Sequence, residues 1–359
     1  MYNGVTNRHL QNAKDTDNDE FYTRYCDVEG EMEAYVSCNA DVFRDKIVLL
    51  PCDDYTRSNF TKYFSSNFNR LGLSKLISTC YGGFTSSRGK YQILERVGDR
   101  VVIHSGLLNG DGDFRSEEIS NLRNLADFVI TNPPFSLIRE FMDWVYEKRK
   151  KFSIIGGATL PTYRSVVPMW VEGFCGMGAS RPRHGKVWYL VPETYNSTEI
   201  RWKDGIRVAG VHSMWCCNIP YKETHFMKHN TMEWNLKHHK QLRDYCYRWS
   251  HKLEYMRYSN YDAIEVPYMD AIPSDYPGVM GVPITFFNFY SPKLYDFLGI
   301  SNGAGSDIDS IYYGRTIEDG KINKYSVSCF LPCLTSKGIV NKEIFKRMFI
   351  RHKNIPSNS

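Results

Sequence analysis

Over the first 157 residues, short apolar runs alternate with longer stretches in which apolar side chains return every three or four positions. The runs are Lys46-Ile-Val-Leu-Leu50, Lys75-Leu-Ile-Ser-Thr79, Arg100-Val-Val-Ile-His104, Asp127-Phe-Val-Ile-Thr131 and Phe152-Ser-Ile-Ile-Gly156. They are short and rich in β-branched side chains, as buried strands are. Between them Asn59 to Leu71, Ser116 to Leu125 and Leu137 to Tyr146 carry the helical period, and an earlier helix-like stretch runs from Val28 to Val36. Ser58 suits a helix cap and Gly72 a helix end. Strand and helix in alternation predict a doubly wound, mostly parallel, Rossmann-like α/β sheet.

Around this frame the pattern is looser. Residues 1–18 are polar and read as a mobile arm, and residues 82–100 read as a hairpin or excursion. Beyond Gly157, the aromatic segments Val187-Trp-Tyr-Leu190, Ile206-Arg-Val208 and Val211-His-Ser-Met-Trp215 alternate with turns and predict a partly antiparallel extension. Gly281-Val-Pro-Ile-Thr-Phe-Phe287 reads as a core strand. The expected organisation is a cofactor-binding and catalytic core over 1–157, a target-recognition region over 158–280, and a C-terminal strand and helix over 281–359 that complete or pack on the core.

The strand ending at Thr131 carries the most specific chemistry. It stops at Asn132, because Pro133 and Pro134 forbid both further ladder bonds and an immediate helix. Ligands bind at the carboxyl ends of such strands. An exocyclic amine on a base is a poor nucleophile, since its lone pair is delocalised into the ring. The Asn132 side-chain oxygen and the Pro133 carbonyl suit acceptance of its two protons, and Phe135 offers a face for stacking, a contact of roughly 1–3 kcal/mol. The plainer reading is an Asn-Pro turn. Asp53 and Asp54 follow the first strand, where carboxylates meet a nucleotide-like cofactor or simply cap a turn. Asp113-Phe114 closes an Asp/Gly turn. Its spacing lacks the distal Glu of a calcium loop, and it suits hydrogen bonding and packing against an adenine ring instead.

Charge sharpens this division. Residues 1–157 hold 20 Lys+Arg against 22 Asp+Glu, and residues 158–359 hold 25 against 18, within an overall +5. Residues 225–261 interleave aromatic and basic side chains, with Lys240, Arg243 and Arg248 as candidates for phosphate contact; an amphipathic helix with a solvated charged face gives the same pattern. His225 and His229 lack the Glu of a zinc protease, and the ten cysteines lack paired Cys-x-x-Cys spacing. No metal is assigned, and the thiols are expected to be reduced. With no apolar run of about eighteen residues and no leader pattern, neither a membrane span nor a secretory signal is expected, and the cytoplasm is the expected location.

Asp19-Glu-Phe-Tyr-Thr23, Cys52-Asp53-Asp54 with Ser58-Asn59-Phe60, Gly110-Asp-Gly-Asp-Phe114, Thr131-Asn-Pro-Pro-Phe135 and Gly281-Val-Pro-Ile-Thr-Phe286 occur in that order. Together they resemble the EcoRI-type adenine-specific DNA methyltransferases. The resemblance implies S-adenosylmethionine as cofactor and N6-adenine methylation of a flipped base in double-stranded DNA. It implies Asn132, Pro133, Pro134 and Phe135 as catalytic residues, and Phe21, Tyr22, Thr23, Cys52, Asp53, Asp113 and Phe114 as cofactor-binding ones. It also implies a monomer, and a restriction endonuclease as functional rather than physical partner. Two departures stand out: Cys52-Asp53-Asp54 replaces the usual glycines of the first cofactor motif, and Thr79-Cys80-Tyr81 stands where a ribose-binding acid is usual. N4 methylation of cytosine, an RNA or protein amine as acceptor, and a non-catalytic DNA-binding role are the alternatives.

Overall fold

The computed structural model describes residues 22–83, 88–163, 165–180, 186–191, 198–203, 205–221, 228–301, 329–336 and 338–353. The chain divides into two compact units, Met1–Leu160 with Cys175–Glu223, and Pro161–Phe174 with Thr224–Ser359.

The first unit is built on an 11-stranded sheet. Its strands are β1 (Tyr22–Thr23), β2 (Ile47–Leu50), β3 (Lys75–Cys80), β4 (Lys90–Val97), β5 (Arg100–Leu107), β6 (Phe128–Thr131), β7 (Lys151–Gly157), β8 (Gly176–Met177), β9 (Lys186–Leu190), β10 (Ile200–Lys203) and β11 (Ile206–Cys217). They lie in the order β1-β9-β11-β7-β6-β2-β3-β4-β5, with β8 and β10 also on β11. The central strands β7, β6, β2 and β3 are mutually parallel, and the flanking strands are antiparallel. The parallel reading therefore holds at the centre of the sheet.

Helices α1 (Tyr25–Cys38), α2 (Asn59–Ser66), α3 (Glu117–Leu125) and α4 (Ile138–Glu147) cover it. Val48, Leu50, Leu76 and Ile130 share one core with Val28 and Met32 of α1 and Phe60 and Tyr63 of α2. Helices α3 and α4 bind each other through Trp144 Nε1–H, which donates to Ser120 Oγ at 2.9 Å. The chain moves outward from β2 to β3 through α2 and in the opposite direction from β6 to β7 through α4. The order reverses between β2 and β6, which makes their carboxyl ends the topological switch point.

The antiparallel extension expected beyond Gly157 is present, with β9 and β11 carrying the sheet on to Cys217. Gly281–Phe287 is not one strand, because the ladder ends at Pro283 and a 3-10 turn, Ile284–Phe289, follows.

The second unit holds α5 (Val166–Val171), α6 (Met232–His238) and α7 (Lys240–Ser250). Its strands β12 (Ile264–Glu265), β13 (Met280–Pro283), β14 (Tyr295–Ile300) and β17 (Arg347–His352) form a sheet of order β12-β13-β17-β14, and β15 (Phe330–Thr335) pairs with β16 (Gly338–Glu343). The described part of 281–359 thus supplies strands and a 3-10 turn but no α-helix. In its core the buried Glu265 carboxylate accepts from Arg347 Nη2 at 2.6 Å and Nε at 3.0 Å, and from the Tyr258 hydroxyl. Among the described residues, no helix is long and apolar enough to cross a membrane. Arg347→Met leaves Glu265 buried without its cation. It is expected to cost about 3–5 kcal/mol in urea unfolding, whereas Arg70→Ala, which breaks an exposed pair with Glu33, costs under about 1 kcal/mol.

Candidate active site

At the switch point the strand ends are joined by one buried side chain. Asp53 follows β2 and is 4 % exposed. Its Oδ1 accepts from Ser58 Oγ and its Oδ2 from Thr131 Oγ1, both at 2.6 Å. Its own N–H donates to the Thr79 carbonyl at 2.9 Å, which ties in the end of β3. Ser58 also caps α2, accepting from Phe60 N–H at 3.1 Å. Burial pushes the Asp53 carboxyl up to about 6, against the pull of both hydroxyls. Its neighbour Asp54 folds the turn, accepting from the Thr56 N–H and hydroxyl.

Thr131 is the last residue of β6, so the Asp53 bond holds the position directly before Asn132. Asn132 is half-buried, Pro133 buried and Pro134 exposed. Phe135 opens a 3-10 turn closed by Leu137 N–H donating to the Pro134 carbonyl at 3.0 Å. The half-buried Phe135 ring meets Tyr189 of β9 edge-on, with centroids 6.4 Å apart. Tyr189 in turn pairs with Thr23 of β1. The Thr23 carbonyl accepts from Asn59 Nδ2–H at 2.8 Å, next to the Ser58 cap. A continuous path therefore runs from Thr23 through Asn59 and Ser58 to Asp53, and from Thr131 through Asn132 to Phe135.

Cys52 is half-buried; burial raises its thiol pKa, and the charge on Asp53 and then Asp113 adds to the rise, with Thr131 opposing. Asp113 is half-buried, and hydrogen bonds from Arg115, at 2.6 Å from Nη2, hold its carboxyl below the ordinary range. The loop bearing it lies hard against the end of β3: Gly112 has φ +83°, and a Cβ there would run into the Cys80 carbonyl. Phe114 is buried, edge-on to Phe141 at 4.9 Å and Trp144 at 5.6 Å.

Of the residues singled out from sequence, Cys52, Asp53, Asp113 and Asn132 gather at the strand ends, and Thr23 joins them through Asn59. Phe21 lies outside the described residues, as does His225, and Tyr22 is described only by its pairing with Leu190. Phe114, the next residue after Asp113, is buried against Phe141 and Trp144 of α4. Lys240, Arg243 and Arg248 are exposed on α7 of the second unit, where Arg243, Asp244, Tyr247, Arg248 and Leu253 line a shallow cavity of ≈ 400 Å³. The amphipathic helix reading also holds there, since Leu242 and Cys246 are buried. All ten cysteines are free thiols. Sequence reasoning missed the partners of Asp53 and the role of Tyr189. A hydroxyl in an otherwise apolar buried run, Thr131, was the available signal; Tyr189 gave none.

The sequence profile of the family described as "Adenine-specific methyltransferase EcoRI" matches residues 9–353. The chain is 37% identical over 345 residues to the Type II methyltransferase M.EcoRI of Escherichia coli, covering 90% of this chain and 100% of that protein. It is 30% identical over 310 residues to the Type II methyltransferase M.MpnI of Mycoplasma pneumoniae, covering 84% and 89%. It is 28% identical over 309 residues to M.MgeORF184P of Mycoplasma genitalium, again covering 84% and 89%. No solved structure matches significantly. With the strand-end site in place and the profile matched along nearly the whole chain, the protein belongs to the EcoRI family of adenine-specific DNA methyltransferases.

Proposed function

We propose that this protein transfers a methyl group from S-adenosylmethionine to N6 of an adenine flipped out of double-stranded DNA, as a cytoplasmic monomer that protects DNA from a cognate restriction endonuclease. The observation that carries the reading is Asn132-Pro-Pro-Phe135 held at the switch point by the Thr131–Asp53 bond. Adenine rather than cytosine is favoured by the family profile.

The residues fit the cofactor. Thr23 Oγ1 is buried and has no hydrogen-bond partner among the described residues, so a polar group of a ligand would satisfy it. Thr23 would meet the methionine end, and the charged Asp113, next to Cys52, would accept from the adenine amino group. When bound, S-adenosylmethionine supplies a sulfonium methyl, which the amino nitrogen takes with its lone pair while sulfur keeps the electrons of the broken bond. Asn132 Oδ1 and the Pro133 carbonyl accept hydrogen bonds from the two amino N–H groups, which draws the nitrogen towards tetrahedral geometry and spreads its developing positive charge; one of those protons then leaves to solvent. Pro134 fixes the backbone so that the Pro133 carbonyl keeps its direction, and Phe135 stacks on the base. Flipping costs a few kcal/mol, which stacking and phosphate contacts offset. Target recognition falls to the part of 158–280 outside the sheet, with α7 supplying phosphate contacts.

The test is to incubate the protein with labelled cofactor and mixed-sequence duplex DNA, digest to nucleosides and identify the labelled one. N6-methyladenine is expected; label in N4-methylcytosine would change the base, and no label in DNA would remove the reading. Asn132→Ala is expected to lower kcat by about 10²–10³-fold or more while calorimetric cofactor binding stays within about twofold. Neutralising Lys240, Arg243 and Arg248 together should reduce the slope of log binding constant against log salt by about 2–3. Because Asp53 holds its proton up to about 6 when folded and only to about 3.8 when free, this group's stabilising contribution is full at low pH and is lost as pH rises across that window. Asp53→Asn, compared with the parent in urea midpoints from pH 4 to 7, should remove that fall.

A further inference from the structure

We infer that α7 of the second unit reads the DNA sequence from the major groove: the Asp244 carboxylate accepts from an exocyclic amino group on a base edge, and Arg243 and Arg248 on its two sides meet the phosphates of the groove walls. This rests on the proposed reaction and names a residue that selects its site. The helix is a fixed platform. His239 caps it, its Nδ1 accepting from Leu242 N–H at 3.1 Å. Leu242 and Cys246 are buried, and the Tyr245 hydroxyl donates to Glu265 Oε1 at 3.3 Å, which ties the helix to the buried Glu265–Arg347 pair. Reading a base edge needs such support, because a hydrogen bond discriminates between bases only when its protein partner is held in place.

Angular position fixes what the exposed face presents. At about 100° per residue, Asp244 lies across the axis from the midpoint of Leu242 and Cys246, with Arg248 about 40° to one side and Arg243 about 100° to the other. The carboxylate therefore stands on the crest of the face, between two guanidiniums. All three line the cavity of ≈ 400 Å³ with Tyr247 and Leu253. Asp244 is one turn from both Lys240 and Arg248, the spacing at which ion pairs form, yet its side chain has no hydrogen bond or ion pair among the described residues. The cations are open to a ligand too. The side chains of Lys240 and Arg248 have no such partner among the described residues, and Arg243 gives one N–H to the Lys237 carbonyl at 3.2 Å. Three cations against this single carboxylate over Lys240–Ser250 make a surface for a polyanion. On such a surface a carboxylate repels every phosphate. Its place on the crest fits the groove floor instead, where cytosine N4 and adenine N6 present N–H donors and the phosphates stand off to the sides. The major groove, about 12 Å wide, admits a helix with its flanks towards both backbones.

The test maps by sequencing the sites that the parent, Asp244→Ala and Arg248→Ala methylate in an amplified, unmethylated mixed-sequence duplex, with cofactor affinity measured separately by calorimetry. Asp244→Ala is expected to accept other bases at one position of the parent's site. The preference in kcat/KM for the parent's base over its substitutes there should fall at least about tenfold, with cofactor affinity unchanged. Arg248→Ala is expected to weaken binding of all duplexes alike and to leave the mapped site as it was. With the parent active, an Asp244→Ala variant that keeps the parent's site, or that alters binding of every sequence by the same factor, overturns the reading role and leaves the proposed reaction standing. Loss of cofactor affinity in Asp244→Ala also overturns it, since the role would then be structural. A changed site in Arg248→Ala overturns the phosphate assignment. A parent that labels no DNA removes the proposed reaction and this inference together.

Discussion

Taking the Asp53 carboxylate out of water costs several kcal/mol unless hydrogen bonds replace its hydration, and two hydroxyls at 2.6 Å offset part of that cost, while the residue's own N–H ties its backbone to Thr79. That constraint positions the rest of the site. The carboxylate has one place to be, between the cap of α2 and the last residue of β6, and it fixes both relative to the end of β2. A ladder alone sets Thr131 by its pairing with Ile154; the Asp53 bond adds a restraint perpendicular to the strand, at the residue where the chain leaves the sheet. The site is precise because a buried charge tolerates few alternatives.

The antiparallel flank does for the distant parts of the sequence what Asp53 does for the near ones. Residues 22–23 enter the sheet beside β9, so Thr23 reaches the strand ends from the chain's beginning, and Tyr189 links it to Phe135. The length of β11 carries the sheet past the strand-end site, and the same strand that closes the core at Trp215 is exposed at Ile206, at its other end. The second unit is organised by its own buried charge, with Glu265 and Arg347 satisfying each other inside an aromatic core.

Much of the first unit was legible in the sequence because parallel strands buried on both faces leave continuous apolar runs, and Val48–Leu50, Leu76–Ile77 and Val129–Ile130 do so. Asn132 was legible because two prolines stop a strand in a way that side-chain chemistry then explains. Asp53 was legible as a carboxylate after the first strand, open between a cofactor contact and a turn or cap; its partners Ser58 and Thr131 are 5 and 78 residues away, and pairing over the longer separation depends on strand order, which no local pattern carries. The flank was readable as a partly antiparallel extension but not in its register, since strands covered unevenly on two faces show no clean alternation. The packing of Phe114 against Phe141, Trp144 and Arg115 was not legible, because these neighbours come from elements whose packing the sequence leaves open.

The central claim is geometric: the amino group of a flipped adenine sits between Asn132 and Pro133, at strand ends held by Asp53. A crystal structure with a non-reactive cofactor analogue and a duplex containing the methylated site, once mapped, tests it most directly. The account predicts the target adenine outside the helix, its N6 within hydrogen-bond distance of Asn132 Oδ1 and the Pro133 carbonyl, its ring against Phe135, and the Asp53–Thr131 bond intact. An adenine still stacked in the duplex, or one seated away from Asn132, would contradict it.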